Sequence, residues 1–372
     1  MIRLSKSVVG IEEANAVKEV LVKDGYLGMG KYVQKFEQVI SKFLNLKESE
    51  VICVNSGTAA LHLAVQSIID NEKNEILVPS LTYLSSFQAI SAAGATPIAC
   101  DVNEDSMIID LDDAEARITK KTAGIMPVWY ASNPYNYKSI YDFAKKFKIR
   151  VIEDAAHAFG CEINHSKIGS IGDIICFSFD GIKNITSGEG GAIITKDKKV
   201  INYCKDTRLL GVIKDTKKRF KGGRSWDFQV DNQGYRFHMS NIFAAIGIVQ
   251  LKKLKKSFAN KRLELKKLYI KELQNVNGIK LQECEEKSLI IPHIFPIRVL
   301  NDKRDYLKEV LKKNKVQTGI HYKPNHLLRK YKTNYNLLIT EKLYKEIITL
   351  PLHPEMNSED TRFICSIIKN NL

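Results

Sequence analysis

Apolar residues in the first 240 positions follow two spacings, one typical of strands and the other of helices. Short apolar and β-branched runs predict seven strands, at residues 50–55, 75–78, 96–100, 123–128, 150–153, 174–178 and 191–195. Apolar residues three or four positions apart predict helices at 31–44, 59–70, 83–93 and 137–146. This alternation favours an α/β fold in which a mostly parallel, seven-stranded sheet is flanked by helices.

The spacing changes after residue 240. A long helix, continuous or broken, is predicted at 239–273, and shorter helices are predicted at 303–313, 341–348 and 358–370. The mixed pattern predicts a smaller C-terminal α+β domain. We place the domain boundary inside the long helix, so that a large domain spans residues 1–250 and a small domain spans 251–372.

The composition is that of a globular protein large enough for a substantial core. Of its 372 residues, 44% are hydrophobic and 27% are charged. No apolar run is long enough to cross a bilayer, and residues 1–6 lack the apolar core of a signal peptide. The seven cysteines are dispersed without C-x-x-C spacing, which fits a reducing compartment and argues against a metal motif. We therefore expect a cytoplasmic protein with no metal and no membrane partner.

Charge is distributed unevenly along the chain. The net charge is +15, with −3 in residues 1–200 and +18 in residues 201–372. A basic half raises the hypothesis of nucleic-acid binding. However, the lysines at 251–258 recur at helical spacing, which is typical of a solvated helix face, and aromatic stacking motifs with interleaved arginines are absent. We therefore expect no nucleic-acid partner.

One lysine stands on a short connection between two strand-like runs. Lys183 lies between the apolar runs 173–178 and 192–195, in a polar segment that ends in glycines. A lysine amine can condense with an aldehyde once its pKa is lowered. Taken alone, Lys183 is better explained as a solvated loop residue, since the chain is rich in lysine.

Two further segments add chemistry to that lysine. At 51–69, a β-branched run leads into the small residues Ser56, Gly57 and Thr58 and then into a helix, and a helix N-terminus of this kind favours phosphate. At 149–160, a short strand ends in Asp154, at the sheet edge where α/β proteins gather ligands. Each feature has an ordinary structural explanation, a capped helix and a turn-capping carboxylate. Together with Lys183 they supply the phosphate cradle, the carboxylate and the amine that pyridoxal 5′-phosphate requires.

From residue 25 to its C-terminus, the chain resembles the DegT/StrS-type nucleotide-sugar aminotransferases, a branch of the fold-type I pyridoxal-phosphate-dependent transferases. The segments that carry the resemblance are 25–30, 36–37, 56–64, 78–83, 153–157, 183–191, 234–241, 246–251, 321–324 and 350–354. Their order and spacing together make it specific.

The resemblance implies a role for each matching residue. Lys183 corresponds to the Schiff-base lysine that also carries the proton, and Asp154 to the residue that keeps the ring nitrogen of the cofactor protonated. Further cofactor contacts, to the phosphate or beside the ring, are expected from Ser56, Gly57, Thr58, Ala59, Tyr83, His157 and Ser178.

The resemblance also implies a homodimer with shared active sites. Arg236 and His238, in the loop at 234–240, are expected to reach the partner's site, although many relatives have Asn and Arg at these positions. The residues expected near the substrate are Trp129, Tyr130, His321, Tyr322 and His326.

The implied activity is transfer of an amino group from L-glutamate to a keto-sugar nucleotide, for surface-polysaccharide or glycan biosynthesis. The pattern at 183–191 resembles enzymes that aminate C4 of a 4-keto-6-deoxy hexose more than those that act at C3, which stays an alternative. A related dehydratase has histidine in place of Lys183. A non-catalytic sensor with the same fold is a different class of alternative, and the intact set of Asp154, Ser178 and Lys183 argues against it.

Overall fold

The computed structural model describes residues 1–372 in full, and its strands form three sheets. The strands are β1 (Val51–Val54), β2 (Glu75–Pro79), β3 (Thr96–Cys100), β4 (Thr122–Ile125), β5 (Arg150–Asp154), β6 (Glu162–Ile163), β7 (Ser166–Lys167), β8 (Ile174–Ser178), β9 (Gly191–Thr195), β10 (Ile279–Leu281), β11 (Ser288–Leu289), β12 (Phe295–Val299) and β13 (Ile347–Leu350). Seven of them form the main sheet in the order β1-β9-β8-β5-β4-β2-β3, and the small sheets are β10-β12-β13 and β11-β6-β7.

The predicted main sheet is confirmed, because each of its strands corresponds to one of the seven predicted runs. Four neighbouring pairs are parallel, and only β9 runs antiparallel to both its neighbours, β1 and β8. Both faces are covered: Val51 and Cys53 of β1 pack into one hydrophobic core, and Ile52 and Val54 pack into another. Strands buried on both faces explain why these runs are continuously apolar rather than alternating.

Thirteen α-helices accompany the sheets. They are α1 (Ile11–Glu19), α2 (Lys31–Leu44), α3 (Gly57–Gln66), α4 (Leu84–Ala92), α5 (Leu111–Ala116), α6 (Tyr137–Phe147), α7 (Lys198–Thr207), α8 (Thr216–Phe220), α9 (Asn241–Lys253), α10 (Ala259–Leu273), α11 (Arg304–Lys313), α12 (Leu338–Glu346) and α13 (Ser358–Lys369). The long predicted helix is α9 and α10 joined through a π-helical stretch, Leu254–Phe258. The domain boundary that we placed near residue 250 stays a prediction. No helix combines the length and apolar character needed to span a bilayer.

The predicted helix at 341–348 is wrong at both ends. The helix begins at Leu338 and ends at Glu346, and residues 347–350 form β13. That strand pairs with β12 and is buried throughout. The apolar, β-branched residues Ile347, Ile348 and Thr349 suit a buried strand, so sheet pairing overrides the helical spacing that precedes them.

A buried ion pair, Arg208–Glu37, covers one of the two edges of the main sheet. Strand β1 lies at that edge, and Arg208 Nη1 donates to the Cys53 carbonyl oxygen at 2.6 Å and to Glu37 Oε1 at 2.7 Å. Glu37 Oε1 also accepts the Cys53 N–H at 2.9 Å. The free backbone groups of an edge strand are thus bound by side chains from α2 and from the end of α7. This matters for function because β1 leads directly into Ser56.

We expect Arg208→Met to destabilise the fold by about 3–5 kcal/mol, because it leaves the Glu37 carboxylate buried without its cation. The measurement is chemical unfolding of the variant and the original protein at equal concentration. Lys138→Met is the control: Lys138 pairs with Asp142 on the exposed face of α6, and such pairs contribute about 0–1 kcal/mol. Equal losses in the two variants would contradict the structural role of the buried pair.

Candidate active site

The carboxyl ends of β1, β5 and β8 open into one pocket of about 370 Å³. In α/β sheets this edge is where ligands bind. Ten of the residues singled out from the sequence line the pocket: Ser56, Gly57, Thr58, Tyr83, Asp154, His157, Ser178, Lys183, His321 and Tyr322. Folding thus brings together five segments that are separated in the chain.

The N-terminus of α3 forms the phosphate-type cradle of this pocket. Ser56 caps the helix, because its Oγ accepts the Ala59 N–H at 3.0 Å. The backbone N–H groups of Gly57 and Thr58 have no partner within the chain and remain free for an anion. Ala59 was expected to contact phosphate, but its N–H already binds Ser56 and it does not line the pocket.

Two glycines keep the cradle in place. A Cβ atom on Gly57 would lie 2.7 Å from the Ser178 Cβ, so β8 and the start of α3 approach too closely for a side chain there. A Cβ on Gly191 would lie 2.4 Å from the Ser56 carbonyl oxygen. The Ser178 hydroxyl therefore stands directly beside the free N–H groups of α3.

Asp154 lies at the end of the central strand β5 and is almost completely buried. Its Oδ2 accepts the Ser86 hydroxyl at 2.7 Å, and its Oδ1 accepts the Ala156 N–H at 3.2 Å. Burial raises the pKa of Asp154, whereas the Ser86 and Ala156 hydrogen bonds and the charge of Lys183 lower it. A cation arriving in the pocket would stabilise this carboxylate. The sequence pattern of α4 did not mark Ser86 as part of the site.

Lys183 reaches the same pocket from the turn that joins β8 and β9. Its backbone N–H donates to the Asp180 carbonyl oxygen at 3.1 Å, which forms the turn. Burial lowers the pKa of Lys183 below its ordinary 10.5, while the charges of Asp154 and Asp180 oppose that shift. A lysine with a lowered pKa can act as both base and acid near neutral pH.

Three histidines, His157, His293 and His321, also line the pocket. The rings of His157 and His293 are 4.5 Å apart, His157 Nε2 lies 3.1 Å from the Tyr322 hydroxyl, and His321 Nδ1 lies 2.9 Å from Thr349 Oγ1. Burial, helped by the charge of Lys183, lowers the pKa of His321 to about 4 and the pKa values of the other two well below their usual range. The sequence pattern gave no signal for His293, because this residue stands within an apolar run at 289–297 that indicates only core packing.

Three residues expected near the substrate lie behind the wall rather than on it. Trp129 is fully buried, and its indole N–H donates to Glu153 Oε2 at 2.8 Å. The buried Tyr130 donates its hydroxyl to the His321 carbonyl oxygen. His326 Nδ1 lies 2.7 Å from the Ser80 hydroxyl, also in the interior. Each of these three side chains is bound inside the core and none lines the pocket of this chain, so their expected place near the substrate stays a prediction.

Arg236 and His238 do not line the pocket of their own chain. The segment that carries them runs along the edge of β1: His238 pairs with Val54, and the Phe237 carbonyl oxygen accepts the Asn55 N–H at 2.7 Å. The Arg236 side chain is exposed. Their expected role in a partner's site stays a prediction.

The chain is similar to known proteins over almost its whole length. The model of the DegT/DnrJ/EryC1/StrS aminotransferase family matches residues 8–369. An uncharacterized protein of Methanocaldococcus jannaschii is 32% identical over 370 residues, which cover 97% of this chain and 95% of that protein. The chain therefore belongs to the DegT/DnrJ/EryC1/StrS aminotransferase family, and it is a transaminase.

Solved structures share the fold as well. The aminotransferase TlmJ from Streptoalloteichus hindustanus is 25% identical with a TM-score of 0.92, over 100% of this chain and 98% of that one. Helicobacter pylori PseC, an aminotransferase involved in the biosynthesis of pseudoaminic acid, is 26% identical with a TM-score of 0.91, over 100% and 99%. A Streptococcus pneumoniae protein has been solved in a PLP form and in a PMP form, and it is 26% identical to this chain. The PLP form has a TM-score of 0.89, over 99% of this chain and 97% of that one. The PMP form has a TM-score of 0.91, over 100% of this chain and 98% of that one. The expected fold of the pyridoxal-phosphate-dependent transferases is confirmed.

A buried carboxylate supports the strand end that carries Asp154. Glu153 is fully buried, and it accepts hydrogen bonds from the Trp129 indole, from the Tyr137 hydroxyl at 3.0 Å and from the Tyr141 hydroxyl at 2.6 Å. A Cβ on Gly172 would lie 2.3 Å from Glu153 Oε1, so glycine is required there. Burial raises the pKa of Glu153 to about 7, although these three donors oppose the shift.

This raised pKa predicts a pH-dependent stability. The pKa of Glu153 in the folded protein lies above its ordinary value of 4.5, so protonation of Glu153 stabilises the fold. This contribution to the free energy of unfolding is full below pH 4.5 and is lost as the pH rises through about 7. At 1.36 kcal/mol per pKa unit, the loss is about 3 kcal/mol. Glu153→Gln cannot titrate, so its free energy of unfolding relative to the original protein should rise by that amount over this window. Urea unfolding between pH 4.5 and 7.5 measures it, and a constant difference would contradict the raised pKa.

Proposed function

We propose that the protein transfers an amino group from L-glutamate to a keto-sugar nucleotide, at C4 of a 4-keto-6-deoxy hexose, for surface-polysaccharide or glycan biosynthesis. The observation that carries the proposal is the convergence of Lys183, Asp154 and the free N–H groups of Gly57 and Thr58 on one pocket. Membership of the aminotransferase family assigns transamination, and the pattern at 183–191 favours C4 over C3.

Pyridoxal 5′-phosphate is the cofactor, and the donors in the pocket fit it. Its phosphate suits the α3 N-terminus and the Ser178 hydroxyl, and a protonated ring nitrogen suits the buried Asp154 carboxylate. Lys183 supplies the amine that the aldehyde requires. When bound, the cofactor supplies an electron-accepting ring that lets a proton leave the carbon that carries the amine.

Residues of the chain would orient the cofactor and transfer the proton. Asp154, oriented by Ser86, would keep a proton on the ring nitrogen. Lys183, whose pKa is lowered by burial, would take the proton from one carbon and return it to another. Tyr83 is 59% exposed at the pocket, next to Tyr322 with a ring separation of 5.5 Å, and would cover the face of the ring.

We further propose a homodimer in which each site takes residues from the other subunit. Lys183 is the one lysine or arginine that lines the pocket, which also holds Asp154, Asp180 and Glu189. The phosphate of the cofactor and the diphosphate of a nucleotide-sugar need more positive charge than that. Arg236 is exposed beside β1 and could supply it to a second copy. Large apolar side chains are also left exposed on the surface, among them Ile11, Val22, Leu27, Trp226 and Phe228.

We expect Lys183→Ala to abolish transamination, because no other amine lines the pocket. In the original protein, borohydride reduction of the cofactor-loaded enzyme followed by peptide mapping should find the pyridoxyl label on Lys183. Lys196→Ala is the matched control, since Lys196 is exposed and donates to the Ser170 carbonyl oxygen away from the pocket. A label on a different lysine would overturn the assignment of the site.

We expect turnover of a 4-keto nucleotide-sugar with L-glutamate as donor. The measurement offers the purified enzyme a panel of 4-keto and 3-keto sugars in dTDP, UDP and GDP form, and identifies the aminated product by mass spectrometry and NMR. Turnover confined to 3-keto sugars would reverse the regiochemistry and leave the transaminase assignment intact.

A further inference from the structure

The side chains that line the pocket differ in what they offer to a carboxylate. Asp154, Asp180 and Glu189 are acidic, and burial together with the charge of Asp180 raises the pKa of Glu189. His157, His293 and His321 form a histidine wall, in which burial keeps the pKa of each ring below its usual range. A carboxylate that enters beside Lys183 is repelled by the acidic side chains and can be accepted by an N–H of the histidine wall.

Transamination brings such a carboxylate close to Lys183. The α-carboxylate of an amino-acid donor is bonded to the same carbon as the exchanged amine, so its binding group must lie beside the reacting atoms. The diphosphate of a nucleotide-sugar is attached at C1, across the sugar ring from C4. The donor, rather than the sugar, therefore requires an anion-binding group next to Lys183.

His293 has the geometry of such a group. It is almost completely buried at the pocket wall, and its Nδ1 is buried without a hydrogen-bond partner. Because an unpaired buried N–H is rarer than an unpaired acceptor, the proton is assigned to Nε2, the nitrogen left for the pocket. Burial and the charge of Lys183 keep the pKa of His293 well below its usual range, so the ring is a neutral donor.

The backbone of His293 is held on both sides. Its N–H donates to Ser132 Oγ at 2.9 Å, and the same hydroxyl donates to the His157 carbonyl oxygen. Its carbonyl oxygen accepts from Arg262 Nη1 at 3.3 Å. Ser132 adopts a left-handed φ of 71°, a strained conformation that places one hydroxyl between the two histidine segments.

Arg262 is unusual because it is buried without a carboxylate partner. Its Nη1 donates to the carbonyl oxygens of Pro292, His293 and Leu352, and its Nε has no partner. Burial lowers the pKa of Arg262 to about 10, which still leaves it cationic near neutral pH. An unpaired buried cation is costly, and here it places positive potential behind the histidine wall.

We propose that His293, positioned by Ser132 and Arg262, binds the α-carboxylate of the amino donor through its Nε2–H. The inference rests on the proposed transaminase function and deepens it, because it assigns one wall of the pocket to the donor. His293 contacts the donor, whereas Arg262 acts through His293 as a positioning residue.

The test is the donor half-reaction of the cofactor-loaded enzyme, which needs no sugar. L-Glutamate is mixed with the enzyme, the cofactor absorbance is followed, and the dependence of the rate on concentration gives the apparent Kd of glutamate. His293→Phe should raise that Kd by about 10- to 100-fold, the usual effect of losing a hydrogen bond to a charged group, with a smaller change in the limiting rate. His293→Gln, which keeps an N–H donor, should recover most of the affinity.

His62→Phe is the matched control. His62 is equally buried, also has an unpartnered ring nitrogen, and packs against Tyr235 and Phe237 outside the pocket. It should leave the apparent Kd unchanged. His293→Leu serves the same test if His293→Phe does not fold.

Each outcome has one meaning. An unchanged Kd in His293→Phe, a loss confined to the limiting rate, or the same loss in His62→Phe would overturn the role of His293 and leave the transaminase function intact. An original protein that carries its cofactor on Lys183 but does not react with L-glutamate would overturn the donor assignment and this inference with it.

Discussion

The burial of Asp154 at the end of the central strand is the constraint on which the rest of the site depends. A carboxylate in this position is costly unless a cation or hydrogen-bond donors face it. Ser86 and the Ala156 N–H supply the donors, and Lys183 supplies a charge in the same pocket. Because both groups are shielded from water, each shifts the protonation of the other, and the pocket is prepared for a cationic ring.

The surrounding fold holds the strand ends that carry Asp154 and the phosphate cradle. Glu153, next to Asp154, is fastened by Trp129, Tyr137 and Tyr141, so the end of β5 cannot turn freely. On the other side, the Arg208–Glu37 pair binds the edge of β1 just before the phosphate cradle begins. Glu153 and Glu37 are thus buried carboxylates that do not line the pocket. By holding the end of β5 and the edge of β1, they help to position Asp154 relative to the phosphate cradle.

The Trp129–Ser132 segment affects the pocket indirectly. Trp129 and Tyr130 do not enter the pocket, yet Trp129 binds the neighbour of Asp154 and Tyr130 binds the backbone of His321. Ser132 links His157 to His293. The segment thus shapes the pocket from behind, which only the folded chain can show.

The sequence by itself determined the seven strands and the helices between them, and it predicted that residues 56–58, Asp154 and Lys183 belong to one site, because strand ends and glycine-rich turns are local signals. It placed residues 347 and 348 in a helix, whereas residues 347–350 form a strand because pairing with β12 outweighed helical spacing. It could not show that Trp129, Tyr130 and His326 are bound inside the core, and it overlooked His293 and Ser86. Whether a side chain near a strand end faces the pocket or the core depends on partners more than 20 residues away, as with Trp129 and Glu153. That choice is made by packing and hydrogen bonding between segments, so the tertiary structure alone decided it.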